Sequence, residues 1–91
     1  MDKISENLKI DIINDFETYC IYVTEILNRK LNEQSILETI SEYVSGLYWE
    51  LVDNISVERE RYGIDQGLED YDAICEIEDI ITKVLIDSEV N

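Results

Sequence analysis

Between residues 4 and 31 the apolar side chains fall at Leu8, Ile12, Phe16, Tyr19, Cys20, Val23, Ile26 and Leu27. Steps of three, four and one trace one stripe of an α-helix, so the spacing predicts a helix over about 4–31. Asp2 or Ser5 can cap its start. Arg29 and Lys30 fall in its predicted last turn, where cations favour the helix macrodipole. Residues 31–34 read as a short connection. Ser35 and Glu38 have capping-box spacing, with Asn32 an alternative cap. A second stripe of Leu37, Ile40, Val44, Leu47, Tyr48, Leu51 and Ile55 predicts a helix over about 35–61, closing on a mixed, solvated run of Glu58, Arg59, Glu60 and Arg61. Residues 62–67 break the pattern, and Gly63 suits the left-handed position that ends a helix. A third stripe of Ile74, Ile77, Ile81, Val84 and Leu85 predicts a helix over about 68–86, with a fraying tail beyond it.

Three amphipathic helices on short loops imply an all-α fold: an antiparallel three-helix bundle, or a long helical hairpin with the third helix packed across it. The chain has no Pro and three Gly, which suits long helices. Its 91 residues read as one domain, 1–91, able to bury roughly 60–65% of its unfolded surface around a single core. Tyr19, Tyr43 and Tyr48 lie near the core stripes. Trp49 does not: it falls about 200° around the helix from Leu47, beside Glu42, Gly46 and Asp53. Either it anchors a partner, as Trp often does, or the second helix is sandwiched and buries both sides. Ile10 and Ile21 also leave their stripe, and they suit a homodimer, a partner contact or scattered surface positions.

Charge changes the picture. Asp and Glu number 22 against 7 Lys and Arg, a net charge of −15. That exceeds the roughly 2–8 units that keep a small domain soluble. It disfavours direct contact with nucleic acid or an anionic membrane and points to basic partners or cations. The stretch from Gly67 to Ile81 holds Glu69, Asp70, Asp72, Glu76, Glu78 and Asp79 and no base. On a helical wheel Glu69, Asp72, Glu76 and Asp79 share one arc opposite Ile74, Ile77 and Ile81. They climb in steps of roughly 4.5–6 Å over about 15 Å, with Lys83 alone as compensation further along. Such a row, extended by Glu58 and Glu60, can stand in for a phosphate ladder before a basic groove. Trp49, Tyr62 and Tyr71 are the candidate aromatic anchors. A plain solvated face is the other reading of the same residues.

Chemistry is constrained by what is missing. There is no His, no Walker A or GxGxxG motif, and no base beside either Cys. Cys20 and Cys75 fit no CxxC pattern and read as buried, reduced thiols. No secretory signal and no long apolar run is seen, so the expected location is the cytoplasm. No cofactor, metal site or enzymatic activity is expected. Glu50 with Asp53, and Glu76 with Asp79, have ExxD spacing. This partly resembles the all-α nucleotide pyrophosphohydrolases of the MazG type, which implies Mg²⁺ held by facing carboxylates. The companion EExxE is absent, since residue 39 between Glu38 and Glu42 is Thr.

The whole character, small, helical, strongly acidic and rich in Ile, Asn, Asp, Glu and Tyr, resembles small phage-encoded inhibitors, including anti-CRISPR proteins and other DNA mimics. That resemblance implies a non-enzymatic protein that occupies the nucleic-acid site of a host defence nuclease or another basic nucleic-acid-binding protein. An immunity protein or antitoxin that neutralises a basic toxin, and a homodimeric helical regulatory module, are the alternatives.

Overall fold

The computed structural model describes residues 4–31 and 35–90, with Val90 described for its backbone alone. The described residues are all-α, in the order α1 (Glu6–Ile21), a π-helical turn (Tyr22–Ile26), α2 (Ser35–Gly46), α3 (Tyr48–Asp53), α4 (Ile55–Tyr62) and α5 (Asp70–Val90). Ser5 caps α1, accepting a hydrogen bond from the Leu8 amide at 3.1 Å. Asp2 and Asn32, the alternative caps, lie outside the described residues. Ser35 opens α2, and its hydroxyl donates to the Lys30 carbonyl at 3.3 Å.

The predicted first helix ends early. The π turn carries α1 only as far as Leu27, and Asn28 has a positive φ of 55°. Arg29 and Lys30 therefore stand beyond the helix, not in its last turn. A π turn takes more residues per revolution than the 3.6 of an α-helix. Ile26 and Leu27 are thereby set back around the axis, off the core stripe they were predicted to continue, and both are exposed.

The predicted second helix is one rod with two interruptions. At the first, the Leu47 amide donates to the Val44 carbonyl at 3.1 Å, a tighter turn than the α-helical one. At the second, Asn54 takes φ −122° and ψ 25°, and its side-chain amide donates to the Glu50 carbonyl at 3.0 Å. Asn competes in this way with the backbone ladder. α-Helical bonds still cross both points, from Leu51 to Leu47 and from Glu58 to Asn54, each 2.9 Å. A straight rod over residues 35–62 would be about 42 Å long, and the molecule's longest dimension is 42 Å. At the start of α2, Ile36 packs against the core where Leu37 was expected, and Leu37 is exposed.

Gly63 ends α4 as its sequence position predicts. Its φ is +68°, its amide donates to the Glu60 carbonyl at 3.3 Å, and the Ile64 amide donates to the Arg59 carbonyl at 2.8 Å. These are the paired bonds of a Schellman motif. α5 begins two residues later than predicted. It also runs on to Val90 instead of fraying after residue 86.

Phe16 meets Tyr43 edge-on at 5.4 Å, Arg29 pairs with Glu42, and Arg61 pairs with Asp11. As the number on the first partner falls, that on the second rises, so α1 and the rod are antiparallel. α5 returns alongside α1: Ile12 and Ile81 line one cleft, and Glu89 acts on Cys20. The result is an up-down-up bundle. Its core joins Leu8, Ile12 and Phe16 of α1, Ile40, Val44 and Leu51 of the rod, and Ile74, Ile77, Ile81 and Leu85 of α5. Among the described residues no helix is long and apolar enough to cross a membrane.

Candidate partner-binding surface

α5 buries Ala73, Ile74, Ile77 and Ile81 on one side, and that fixes what faces outward. Asp72, Glu76 and Asp79 are exposed along the opposite face. Glu69, just ahead of the helix, is exposed too, and its carbonyl accepts the Ala73 amide at 2.9 Å. None of these four carboxylates makes an ion pair or a hydrogen bond with another described side chain. The other two acids of the stretch behave differently. Glu78 is half-buried, and burial, then the charge of Asp79, pushes its carboxyl up from the usual range. Asp70 is not unpaired: it accepts a hydrogen bond from Arg59 at 2.9 Å.

Arg59 is the largest departure from expectation on this side of the molecule. It reads as part of a solvated run, yet its side chain is only 7% exposed. Its guanidinium donates to the Asp65 carbonyl at 2.8 Å, to the Leu68 carbonyl and to Asp70. One side chain thus holds the whole loop between α4 and α5. The signal was present in the sequence, because Arg59 falls on the inward arc of α4 with Ile55 and Tyr62.

Three further bases pair elsewhere. Lys9 pairs with Glu6 at 3.5 Å, Arg29 with Glu42 at 2.6 Å, and Arg61 with Asp11 at 3.4 Å and Glu58 at 3.9 Å. The Glu42 contact raises the pKa of Arg29. Lys83 lines a groove with Ile4, Glu6 and Lys9, and among the described residues it makes no ion pair with Asp79.

Two expected members of the site lie elsewhere. Glu58 does not extend the acidic row. Its side chain is 18% exposed and turns into a cleft of about 120 Å³, lined among others by Ile12, Asp15, Tyr43, Glu50 and Arg61. Tyr62 lines the same cleft and is not a surface anchor. Burial pushes both Tyr62 and Tyr43 up to about 12. Glu60 is exposed on the outer side of α4.

The other two anchors are on the surface. Trp49 is 71% exposed, so the sandwiched reading of the second helix fails at this position. Its ring meets Tyr48 edge-on at 5.1 Å. Tyr71 is 63% exposed, and the neighbouring Cys75 thiol, one turn along, raises the phenol's pKa. Tyr48 also acts on Tyr71 electrostatically, as does Asp72. Trp49 and Tyr71 are thus two exposed rings, on α3 and on α5, while Tyr48 beneath Trp49 packs against the core. Tyr48 does so as its place on the second stripe predicts, and Cys75, beside Tyr71, is a neighbour that the stripe pattern did not disclose. Cys75 and Cys20 are free thiols, half-buried where full burial was expected, and burial raises the pKa of Cys20.

Among the described residues no three Cys, Asp or Glu side chains gather to hold a metal ion, so the two ExxD pairs do not meet in one such group. Comparison with protein-family models, with characterised proteins and with solved structures gives no match.

Proposed function

We propose that this chain is a non-enzymatic acidic binding protein that inhibits a basic nucleic-acid-binding protein, a host defence nuclease in the anti-CRISPR manner, by occupying its phosphate-binding groove in the cytoplasm. One observation carries this reading. Among the described residues Glu69, just ahead of α5, and Asp72, Glu76 and Asp79 on its outward side stand exposed without a cation in ion-pair contact, while Lys9, Arg29, Arg59 and Arg61 pair with other acids. A Lys- and Arg-lined groove exchanges its phosphate contacts for this row. The exposed rings of Trp49 and Tyr71 supply apolar anchoring beside it.

The test is a pull-down with the tagged protein from lysate containing phage-defence nucleases, followed by competition with nucleic acid. The reading expects a basic nuclease that its own guide or target displaces. It also expects binding to weaken with salt, because at about 0.15 M the Debye length is roughly 8 Å. Changing Glu69, Asp72, Glu76 and Asp79 together to Gln or Asn should abolish capture while leaving the fold intact. Capture unaffected by those four changes would sink the reading. A retained basic partner that nucleic acid cannot displace would point instead to neutralisation of a toxin through the same charges.

A further inference from the structure

The π turn at the end of α1 decides which residues meet solvent. The Leu27 amide donates to the Tyr22 carbonyl at 3.2 Å, and the Arg29 amide reaches the Val23 carbonyl at 3.1 Å. Residues five apart then stand in one column, Ile26 over Ile21 and Leu27 over Tyr22. Val23, on the other side, is fully buried. The ridge is exposed at all four positions: Ile21 56%, Tyr22 46%, Ile26 69% and Leu27 43%. An α-helical continuation would have returned Leu27 to the stripe of Val23. The chain instead adopts a rare backbone that turns apolar side chains outward, and such turns concentrate at functional sites.

We propose that this ridge is a self-association surface that takes a second copy of the chain in a two-fold contact. The charges choose that occupant. An isologous contact requires a patch complementary to itself. The ridge carries one exposed acid, Glu25, and just beyond it one exposed base, Lys30, and neither side chain forms an ion pair with a described residue. Across a two-fold axis Glu25 of each chain meets Lys30 of the other, around a centre of Ile26 and Leu27. A basic partner is drawn to the α5 row, whereas this end carries Arg29 and Lys30 among its acids and offers a second chain of charge −15 less repulsion. Glu17 and Glu89, whose charges both reach Cys20 beside Ile21, add negative charge at this end. The inference does not depend on the reading of the α5 row.

Sedimentation equilibrium of the full chain tests it. The expected mass rises to twice that of the chain. Association should strengthen from about 0.05 to about 0.5 M NaCl, because screening relieves the net repulsion of two acidic chains. This is the opposite of the salt dependence of the α5 row toward a basic partner. Ile26→Glu should weaken association by about tenfold or more and keep its helical circular dichroism, since Ile26 lies on the surface. Glu25→Lys should also weaken it, and Glu25→Lys with Lys30→Glu should restore it. A monomer at every salt concentration up to about 1 mM protein overturns the proposal. So does undiminished association of Ile26→Glu, or a double charge swap as weak as the single one.

Discussion

Replacing Arg59 by Ala tests whether one buried cation holds the α4–α5 loop. The guanidinium serves three acceptors, and they are not equal. Asp70 is 72% exposed, so water takes the place of Arg59 there and that contact is worth about 0–1 kcal/mol. The Asp65 and Leu68 carbonyls are different, because a charged donor serves both. Hydrogen bonds involving a charged group contribute about 1.5–3 kcal/mol each, which puts the two carbonyls near 3 kcal/mol at the lower end. Loss of the buried arginine stem adds about 1 kcal/mol. The expected loss is therefore about 4 kcal/mol, a large part of the roughly 5–15 kcal/mol available to a small domain. At about 4–8 °C per kcal/mol, Tm should fall by roughly 15–30 °C. Urea denaturation followed by circular dichroism measures it. Arg61→Ala, which breaks the exposed pair with Asp11 and a loose 3.9 Å pair with the partly buried Glu58, should lose about 1 kcal/mol, and Asp70→Asn should lose no more. Arg59→Lys should fall between, since an ammonium cannot span all three acceptors. If Arg59→Ala is no worse than Arg61→Ala, the loop is held by the Gly63 turn and Ile64, and the account of Arg59 is wrong. If Asp70→Asn matches Arg59→Ala, the ion pair and not the carbonyls carries the energy.

Gly63→Ala should cost about 1–2 kcal/mol, purely torsional, because the φ is +68° and no heavy atom lies near the added Cβ; Gly63→Asn should cost less in the same urea assay. Stability should decline as pH rises from about 10 to about 12, because Tyr43 and Tyr62 stay protonated in the fold while the unfolded chain releases their protons. Denaturation at a series of alkaline pH values should show that slope, and Tyr62→Phe should flatten it. Trp49→Ala and Tyr71→Ala should each weaken partner binding by about tenfold or more, whereas Tyr62→Phe, inside the cleft, should leave it unchanged.

The parts of the fold legible in the sequence are those that a single local rule decides. The period of the apolar stripes gave helical structure throughout, Ser5 gave the start of α1, and Gly63 gave the end of α4. The misplaced parts arise where two local preferences compete. Asn54 turns its side-chain amide onto the Glu50 carbonyl at an interruption in a rod that the stripe alone would make one continuous helix. The π turn shifts the register by one position, so Ile26 and Leu27 change sides without any change in composition. At the candidate site, the outward row on α5 was legible because the opposite face is strongly apolar. Glu58 and Arg59 lie inward although their charge predicts exposure. On α4 the inward arc is itself charged, with Arg59 satisfied by backbone carbonyls and Glu58 by Arg61.

The acidic row has a consequence for stability that separates a binding face from a merely solvated one. Asp72 and Glu76 are four residues apart, and Glu76 and Asp79 three, on one side of a helix. Each such pair of like charges destabilises the helix by about 0.2–0.5 kcal/mol. Glu69 and Asp72 sit at the start of α5, where negative charge favours the macrodipole and offsets that repulsion. Glu76 and Asp79 receive no such compensation. Glu76→Gln with Asp79→Asn should therefore make the free protein more stable, by a few tenths of a kcal/mol, and at the same time weaken its hold on a basic partner. Glu69→Gln with Asp72→Asn should weaken binding without that gain. A face that serves solubility alone would show the gain at Glu76 and Asp79 with no loss of binding at either pair. Opposite signs for stability and affinity in one double variant are what a surface shaped by its partner requires, because the repulsion stored in the row is relieved only when cations dock against it.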